Sequence, residues 1–225
     1  VTMSTRTFAR FAVFLAMSSG CAVSTHAEEL FPRALIDFEP AAGNPIFTAQ
    51  GDGHWDVKIR ERGWIMFDRQ APPEHPAWRM WYTGYDGTRE GQKKLGLATS
   101  HDGLKWTAHP DNPIYAKVWV EDFMIVPHAG TLYMFAEGAD DQAHLLTSEN
   151  GLKWEPVGAI DVRNADGTPI EPGPYGTPTA IHEDRVWYLF YERRDAGIWL
   201  ATSRDMKVWT NVSDDPVMVP GPDEF

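Results

Sequence analysis

Apolar residues in this chain recur in alternation or in short runs, at a period near two rather than the 3.6 of a helix. The clearest runs are Val57-Lys58-Ile59, Trp64-Ile65-Met66-Phe67, Arg79-Met80-Trp81-Tyr82, Leu132-Tyr133-Met134-Phe135 and Val186-Trp187-Tyr188-Leu189-Phe190-Tyr191. Clusters of Gly, Asp, Asn and Pro separate them, and helical periodicity is nearly absent. This pattern predicts an all-β domain of short strands and tight turns. The stretch from Asp68 to Trp78, with Ala71-Pro72-Pro73-Glu74-His75-Pro76 at its centre, interrupts the pattern as a surface loop.

One phrase recurs three times: Ser100-His101-Asp102-Gly103-Leu104-Lys105-Trp106, Ser148-Glu149-Asn150-Gly151-Leu152-Lys153-Trp154 and Ser203-Arg204-Asp205-Met206-Lys207-Val208-Trp209. Each copy follows a small apolar run, and the tryptophans are spaced 48 residues (Trp106 to Trp154) and 55 residues (Trp154 to Trp209) apart. Repeats of this length, rich in strand residues, predict a radial β-propeller with one four-stranded sheet per blade. The order within a blade is an inner strand, a turn, a very aromatic second strand, a hairpin, a third strand ending in the serine, the Asp-Gly turn, and an outer strand after the tryptophan. The phrase itself is structural: Asp102 and Gly103 suit a tight turn, and Trp106 plugs the space between sheets. Blade one is expected over about 44–115, blade two over 116–161 and blade three over 170–218, with 219–225 entering a fourth.

The first 27 residues are set aside as a signal peptide, because Arg6 and Arg10 precede an apolar stretch from Phe11 to Met17 and then small residues. That stretch is too short to span a bilayer. Losing the two arginines takes the net charge from −12 to −14. So acidic a chain disfavours nucleic acid and anionic membranes and tolerates a neutral substrate such as a sugar. The only cysteine, Cys21, lies within the leader, in a box (Ser18-Ser19-Gly20-Cys21) that resembles a lipoprotein cleavage site. A periplasmic or secreted protein is expected, with a lipid anchor at Cys21 as the alternative.

In a propeller, the starts of the inner strands converge on one funnel, so equivalent positions of successive blades meet. Tyr133-Met134-Phe135-Ala136-Glu137 matches Tyr188-Leu189-Phe190-Tyr191-Glu192 at an offset of 55, which sets Glu121-Asp122 opposite Gly176-Thr177. Counting back from a turn expected at Gly63 places Asp56 near the level of Asp122. Carboxylates at matched positions push each other's pKa values apart and can supply one proton donor and one base. Two such groups are the equipment for cleaving a glycosidic bond. Trp55 and Tyr175 are candidates for stacking on a sugar ring, and His54 and Thr177 for bonding its hydroxyls. No His/Cys/Asp cluster has metal-ligand spacing, and no phosphate loop or nucleophile elbow appears, so no cofactor or metal is expected.

The sequence running from Asn44-Pro45-Ile46-Phe47 through Trp81-Tyr82-Thr83-Gly84-Tyr85-Asp86-Gly87 and Glu121-Asp122-Phe123-Met124 to Gly130-Thr131-Leu132-Tyr133 resembles the five-bladed propeller glycosidases, glycoside hydrolase families 43, 32, 62, 117 and 130. The resemblance implies a five-bladed β-propeller, of which this chain holds about three blades and the start of a fourth. It implies an inverting glycoside hydrolase in which Asp56 is the general base and Asp122 tunes and orients the acid. The family's blade-three Glu has no counterpart here, because Gly176-Thr177 stands in its place. Glu121 is the preferred substitute, with Glu171, Glu192, Glu137, Asp223 and Glu224 as alternatives. Two further readings stay open: a glycan-binding propeller without catalysis, and a glycoside phosphorylase whose anion site draws on Arg60, Arg62, Arg193 and Arg194.

Overall fold

Thirteen strands and one short 3-10 turn account for the regular structure in a computed structural model that describes residues 33, 36–170 and 175–221. The leader with Cys21, and Glu171, Asp223 and Glu224, lie outside the described residues. The chain divides into two units, Val1–Ala42 and Gly43–Phe225. In the first, Ile36 and Asp37 donate backbone N–H groups to Arg33 O at 2.9 and 2.8 Å. No helix among the described residues is long and apolar enough to cross a membrane.

The second unit is built from three sheets, antiparallel but for one edge strand of the third. The first joins β1 (Lys58–Phe67), β2 (Trp78–Tyr85), β3 (Lys94–Ser100) and β4 (Thr107–Ala108) in sequence order. The second does the same with β5 (Glu121–His128), β6 (Thr131–Glu137), β7 (Ala143–Ser148) and β8 (Glu155–Ala159). The third holds β10 (Gly176–Glu183), β11 (Val186–Glu192), β12 (Ile198–Ser203) and β13 (Val208–Asn211). Its outer edge is closed by β9 (Asp161–Arg163), which pairs parallel to β13. These are three propeller blades in the predicted strand order. The loop from Asp68 to Ala77 is the β1–β2 connection, closed by Asp68 N donating to Ala77 O at 2.8 Å.

The blades stack because the strands are apolar on both faces. Along β6, Leu132, Met134 and Ala136 join one buried cluster, with Trp81, Leu97, Phe123, Ile125 and Trp154. Phe135 joins another, with Leu145, Trp187, Leu189, Tyr191 and Trp209, and Tyr133 packs against it. The two-residue alternation of a strand therefore sends one set of side chains to each neighbouring blade. The contacts repeat from blade to blade: Trp81 meets Trp154 edge-on at 6.4 Å, and Phe135 meets Trp209 edge-on at 5.9 Å.

The thrice-repeated phrase is a turn that satisfies its own backbone. Ser148 Oγ accepts from the N–H groups of Asn150 and Gly151, and Asn150 Oδ1 accepts from Leu152 and Lys153. Trp154 Nε1 then donates to Gly151 O at 3.1 Å. Ser100, Asp102 and Trp106 repeat this arrangement. In the third copy Ser203 Oγ accepts from Asp205 and Met206, and Asp205 Oδ1 from Lys207.

The expectation for blade one needs correcting. Gly63 is no turn but lies inside the ten-residue strand β1, at a bulge between Arg60 and Trp64. The hydrogen-bond ladder pairs Arg60 with Thr83, Glu121 with Glu137 and Gly176 with Glu192. Arg60, rather than Asp56, therefore stands at the level of Glu121. The slip arises because the turn of blade one follows Phe67 rather than falling at Gly63, with one further residue taken up by the bulge of β1.

Candidate active site

The inner strand β5 packs between β1 and β10, so the first rungs of three sheets come together. At each of β5 and β10 the strand begins with a bulge, two residues facing one on the partner strand. Asp122 and Thr177 sit in these bulges at φ of 43° and 50°, in the left-handed region. Non-glycine residues there carry roughly 1–2 kcal/mol of strain each, which the surrounding ladders hold in place. The bulge turns a backbone N–H out of the sheet, and Thr177 N donates it across the blade boundary to Glu137 Oε2 at 2.7 Å. One boundary earlier, Thr83 Oγ1 donates to Val120 O at 3.0 Å.

Glu121, Asp122 and Glu137 form an acidic group at the junction of the blades. Glu121 is buried; its Oε1 accepts from Trp119 Nε1 at 2.6 Å, and its Oε2 faces the guanidinium of Arg60 from blade one. Burial pushes the Glu121 carboxyl up, and the Trp119 donor, Arg60 and Lys93 oppose the shift. Asp122 is more open and lies 3.7 Å from Arg62 Nε. Glu137 is 8% exposed, and its carboxyl is pushed up to about 7. The main cause is burial; Asp122, Asp141 and Glu121 add repulsion, and the Thr177 N–H offsets part of it.

Gly176 explains the missing blade-three glutamate. A Cβ at this position would lie 2.8 Å from Glu137 Oε2 and 3.1 Å from Glu192 Oε2. The position is bare because two carboxylates from the second strands fill the space a side chain would take. Burial also raises the Glu192 carboxyl, against the Asp195 N–H that it accepts. A glutamate at the same place in β6 and β11 was the sequence signal for this pair.

Behind the group, Lys93 is fully buried. Its Nζ donates to Arg89 O at 2.8 Å and Gly91 O at 2.9 Å, and stands 4.0 Å over the Trp119 ring and 4.7 Å over Tyr85. A cation on the ring face and a carboxylate on the ring N–H fix Trp119 from two sides.

The other predicted residues are placed differently. Asp56 is 1% exposed; Gln50 Nε2 donates to its Oδ1 at 3.1 Å and Tyr82 OH to its Oδ2 at 3.4 Å. Asn112 Nδ2 donates in turn to the Tyr82 oxygen at 3.1 Å. Burial first, and the Asp56 charge second, make the Tyr82 hydroxyl a weaker acid than usual. Among the described residues, every hydrogen bond of the Asp56 carboxylate stays within blade one, and none joins it to Glu121, Asp122 or Glu137. Trp55 is seated on Gly84 and Gly96, where any Cβ would strike its ring, and lies 5.7 Å from Tyr82. His54 is exposed in the preceding turn. Tyr175 packs against the blade-three core, with its ring 5.9 Å from Tyr191, and Thr177 contributes its backbone N–H to Glu137.

No family model matches the chain. It is 24% identical over 209 residues to a 1,2-β-oligomannan phosphorylase from Thermoanaerobacter sp., an alignment covering 85% of this chain and 64% of that protein. The fold matches a glycosyl hydrolase from Bacteroides ovatus with a TM-score of 0.62 and 18% identity, over 82% of this chain and 61% of that one. It also matches a structure from glycoside hydrolase family 130, a family of mannoside phosphorylases containing hydrolases that target β-1,2 mannosidic linkages in Candida mannan. There the TM-score is 0.62 and the identity 18%, over 81% of this chain and 61% of the other. The chain thus spans somewhat under two thirds of the length of these relatives and shares their propeller fold.

Proposed function

We propose that the chain carries the carboxylate site of an enzyme that breaks glycosidic bonds, acting as an inverting glycoside hydrolase with Glu137 as general acid. The observation that supports this most is the placement of Glu137, a buried carboxyl near Glu121 and Asp122, surroundings that push its pKa up to about 7 and so favour a proton to give at neutral pH. Glu121, clamped by Trp119 and Arg60, and Asp122 on its bulge surround that proton with negative charge and orient the donor. Asp56 is the base that the resemblance to the propeller glycosidases implies; it lies buried in blade one, where Gln50 and Tyr82 donate to its carboxylate and fix its orientation. The substrate is a neutral oligosaccharide or polysaccharide side chain, in keeping with the acidic chain. The protein acts outside the cytoplasm, and mass spectrometry of the secreted form should find residues 1–27 removed.

Glu137→Gln keeps an oxygen for the Thr177 N–H and removes the proton donor. It should lower kcat/KM on glycosides by roughly 10²–10⁴-fold and erase the fall in rate above about pH 7. Unchanged turnover in this variant would end the assignment. Asp56→Asn should lower kcat comparably.

A phosphorylase is the second reading, favoured by the phosphorylase relative and by Arg60 and Arg62 standing beside the carboxylates. It differs in one readout: product would form only when inorganic phosphate is present, as a sugar phosphate.

A further inference from the structure

The connection between β2 and β3, Asp86-Gly87-Thr88-Arg89-Glu90-Gly91-Gln92-Lys93, contains no apolar side chain. Asp86, Thr88, Arg89, Glu90 and Gln92 are exposed, and of the loop's side chains only that of Lys93 is buried. With no hydrophobic anchor, the backbone folds back on its own last residue. Arg89 O and Gly91 O converge on Lys93 Nζ at 2.8 and 2.9 Å. The rings of Trp119 and Tyr85 cover the ammonium from 4.0 and 4.7 Å. The turn that brings the carbonyls round is specified locally. Asp86 Oδ1 accepts from the N–H and hydroxyl of Thr88, and Gly91 is bare because the Asp86 carboxylate fills the place of a Cβ. Two carbonyls and two ring faces thus make a cation cage whose cation belongs to the chain itself.

We propose that Lys93 is a positioning residue: its ammonium is the internal cation about which this loop closes, and it acts through Trp119 to hold Glu121 in the acidic group. The effect on turnover rests on the glycoside-cleaving function proposed above, whereas the cage and its link to Glu121 stand on contacts alone. The loop is tied to blade two on either side of Trp119. Gln92 Nε2 donates to Ala116 O at 2.7 Å, and Val120 N donates to Lys93 O at 3.1 Å. Between these ties the indole lies under the ammonium and donates its N–H to Glu121 Oε1. Charge is needed here as well as length. An apolar side chain of the same reach would leave Arg89 O and Gly91 O aimed at a group that cannot donate, and would remove a positive neighbour from a buried carboxylate. The two charges act on each other across the ring. Burial pulls the Lys93 ammonium down, and Glu121 is the largest influence opposing that shift. Burial pushes the Glu121 carboxyl up, and Trp119, Arg60 and Lys93 hold it down.

The test reads the loop and the carboxyl separately from turnover. In Lys93→Met, trypsin should cut after the exposed Arg89 roughly tenfold faster than in the native sequence, because charged hydrogen bonds no longer close the loop. The Glu121 carboxyl, followed by carboxyl-carbon NMR and assigned with Glu121→Gln, should titrate at higher pH in Lys93→Met. In Lys93→Ala, n-propylammonium replaces the atoms removed and should slow the cleavage several-fold. Sodium chloride at the same ionic strength and n-propanol should not. Trp119→Phe keeps a ring by the ammonium and loses the donor to Glu121, so it should raise the carboxyl titration and leave the loop closed. That variant keeps the link testable where the lysine variants do not fold. On glycosides, Lys93→Met should lower kcat with KM little changed. A loop as resistant in Lys93→Met as in the native sequence would overturn the proposal, as would an unmoved Glu121 titration or equal rescue by n-propanol. A native chain that cleaves no glycoside while loop and carboxyl respond as expected would instead overturn the hydrolase assignment and leave the role of Lys93 standing.

Discussion

Glu137 holds its proton more tightly in the folded chain than in the unfolded one, and the sign of the consequence follows from linkage. Its pKa rises from 4.5 to about 7 on folding. Between these values the folded state binds more protons than the unfolded state, so stability falls as pH rises. The contribution is fully present below about 4.5 and gone above about 7. Its size is on the order of 3 kcal/mol. Urea titrations across that window should show the decline in the native sequence and a flatter profile in Glu137→Gln. A parallel decline in both would show that Glu137 is not the group responsible. Gly176 makes the same point from the other side, because a residue with no side chain is what brings the two second-strand carboxylates so near. The signal for Glu137, a glutamate repeated at the ends of two aromatic strands, stood in the sequence. Its protonation did not, because desolvation depends on what three blades pack around it.

The repeated turn shows how much one element depends on its neighbours. Gly103 and Gly151 occupy equivalent left-handed positions, at φ of 74° and 77°. A Cβ on Gly103 would come no closer than 3.5 Å to Trp78, whereas one on Gly151 would lie 2.6 Å from Cζ2 of Trp81. Trp81 is fully buried and donates its Nε1–H to Gly151 O at 2.8 Å, so it has little freedom to retreat. Gly103→Ala should therefore cost only the backbone strain, about 1–2 kcal/mol. Gly151→Ala should cost a further 1–3 kcal/mol or so for overpacking. Thermal unfolding followed by circular dichroism should separate the two variants by several degrees, at roughly 2–4 °C per kcal/mol. Equal shifts would mean that Trp81 gives way freely. The turn itself was legible from Ser, Asp and Gly at fixed spacing, since its hydrogen bonds are local. That the second copy also carries a blade contact was not.

For the molecule as a whole, the blades are joined by wedged aromatic rings and by a few polar ties at the funnel. The Arg60–Glu121 pair is a charged tie between blades one and two, alongside Arg62–Asp122, with the glutamate side buried. Arg60→Met leaves that carboxylate without its cation and should destabilise by about 3 kcal/mol in denaturant unfolding. Replacing both by Met should recover much of the loss, since the penalty lies in an uncompensated buried charge. A double variant no more stable than the single one would mean that Arg60 matters through packing alone. Strand order, the Ser-x-Asp/Asn turns and the three-blade repeat were set by the chain's own alternation and punctuation, because those depend on neighbours in sequence, whereas the turn expected at Gly63 was misplaced. Tertiary structure alone decided three further things: the length and register of β1 that put Arg60 rather than Asp56 level with Glu121, the crowding at Gly176 that draws two carboxylates together, and the dry environment that keeps a proton on Glu137. The first depends on how two strands of one blade register and the others on atoms from different blades, and a residue pattern holds no record of how far one strand slips against the next or of how much water is excluded between them.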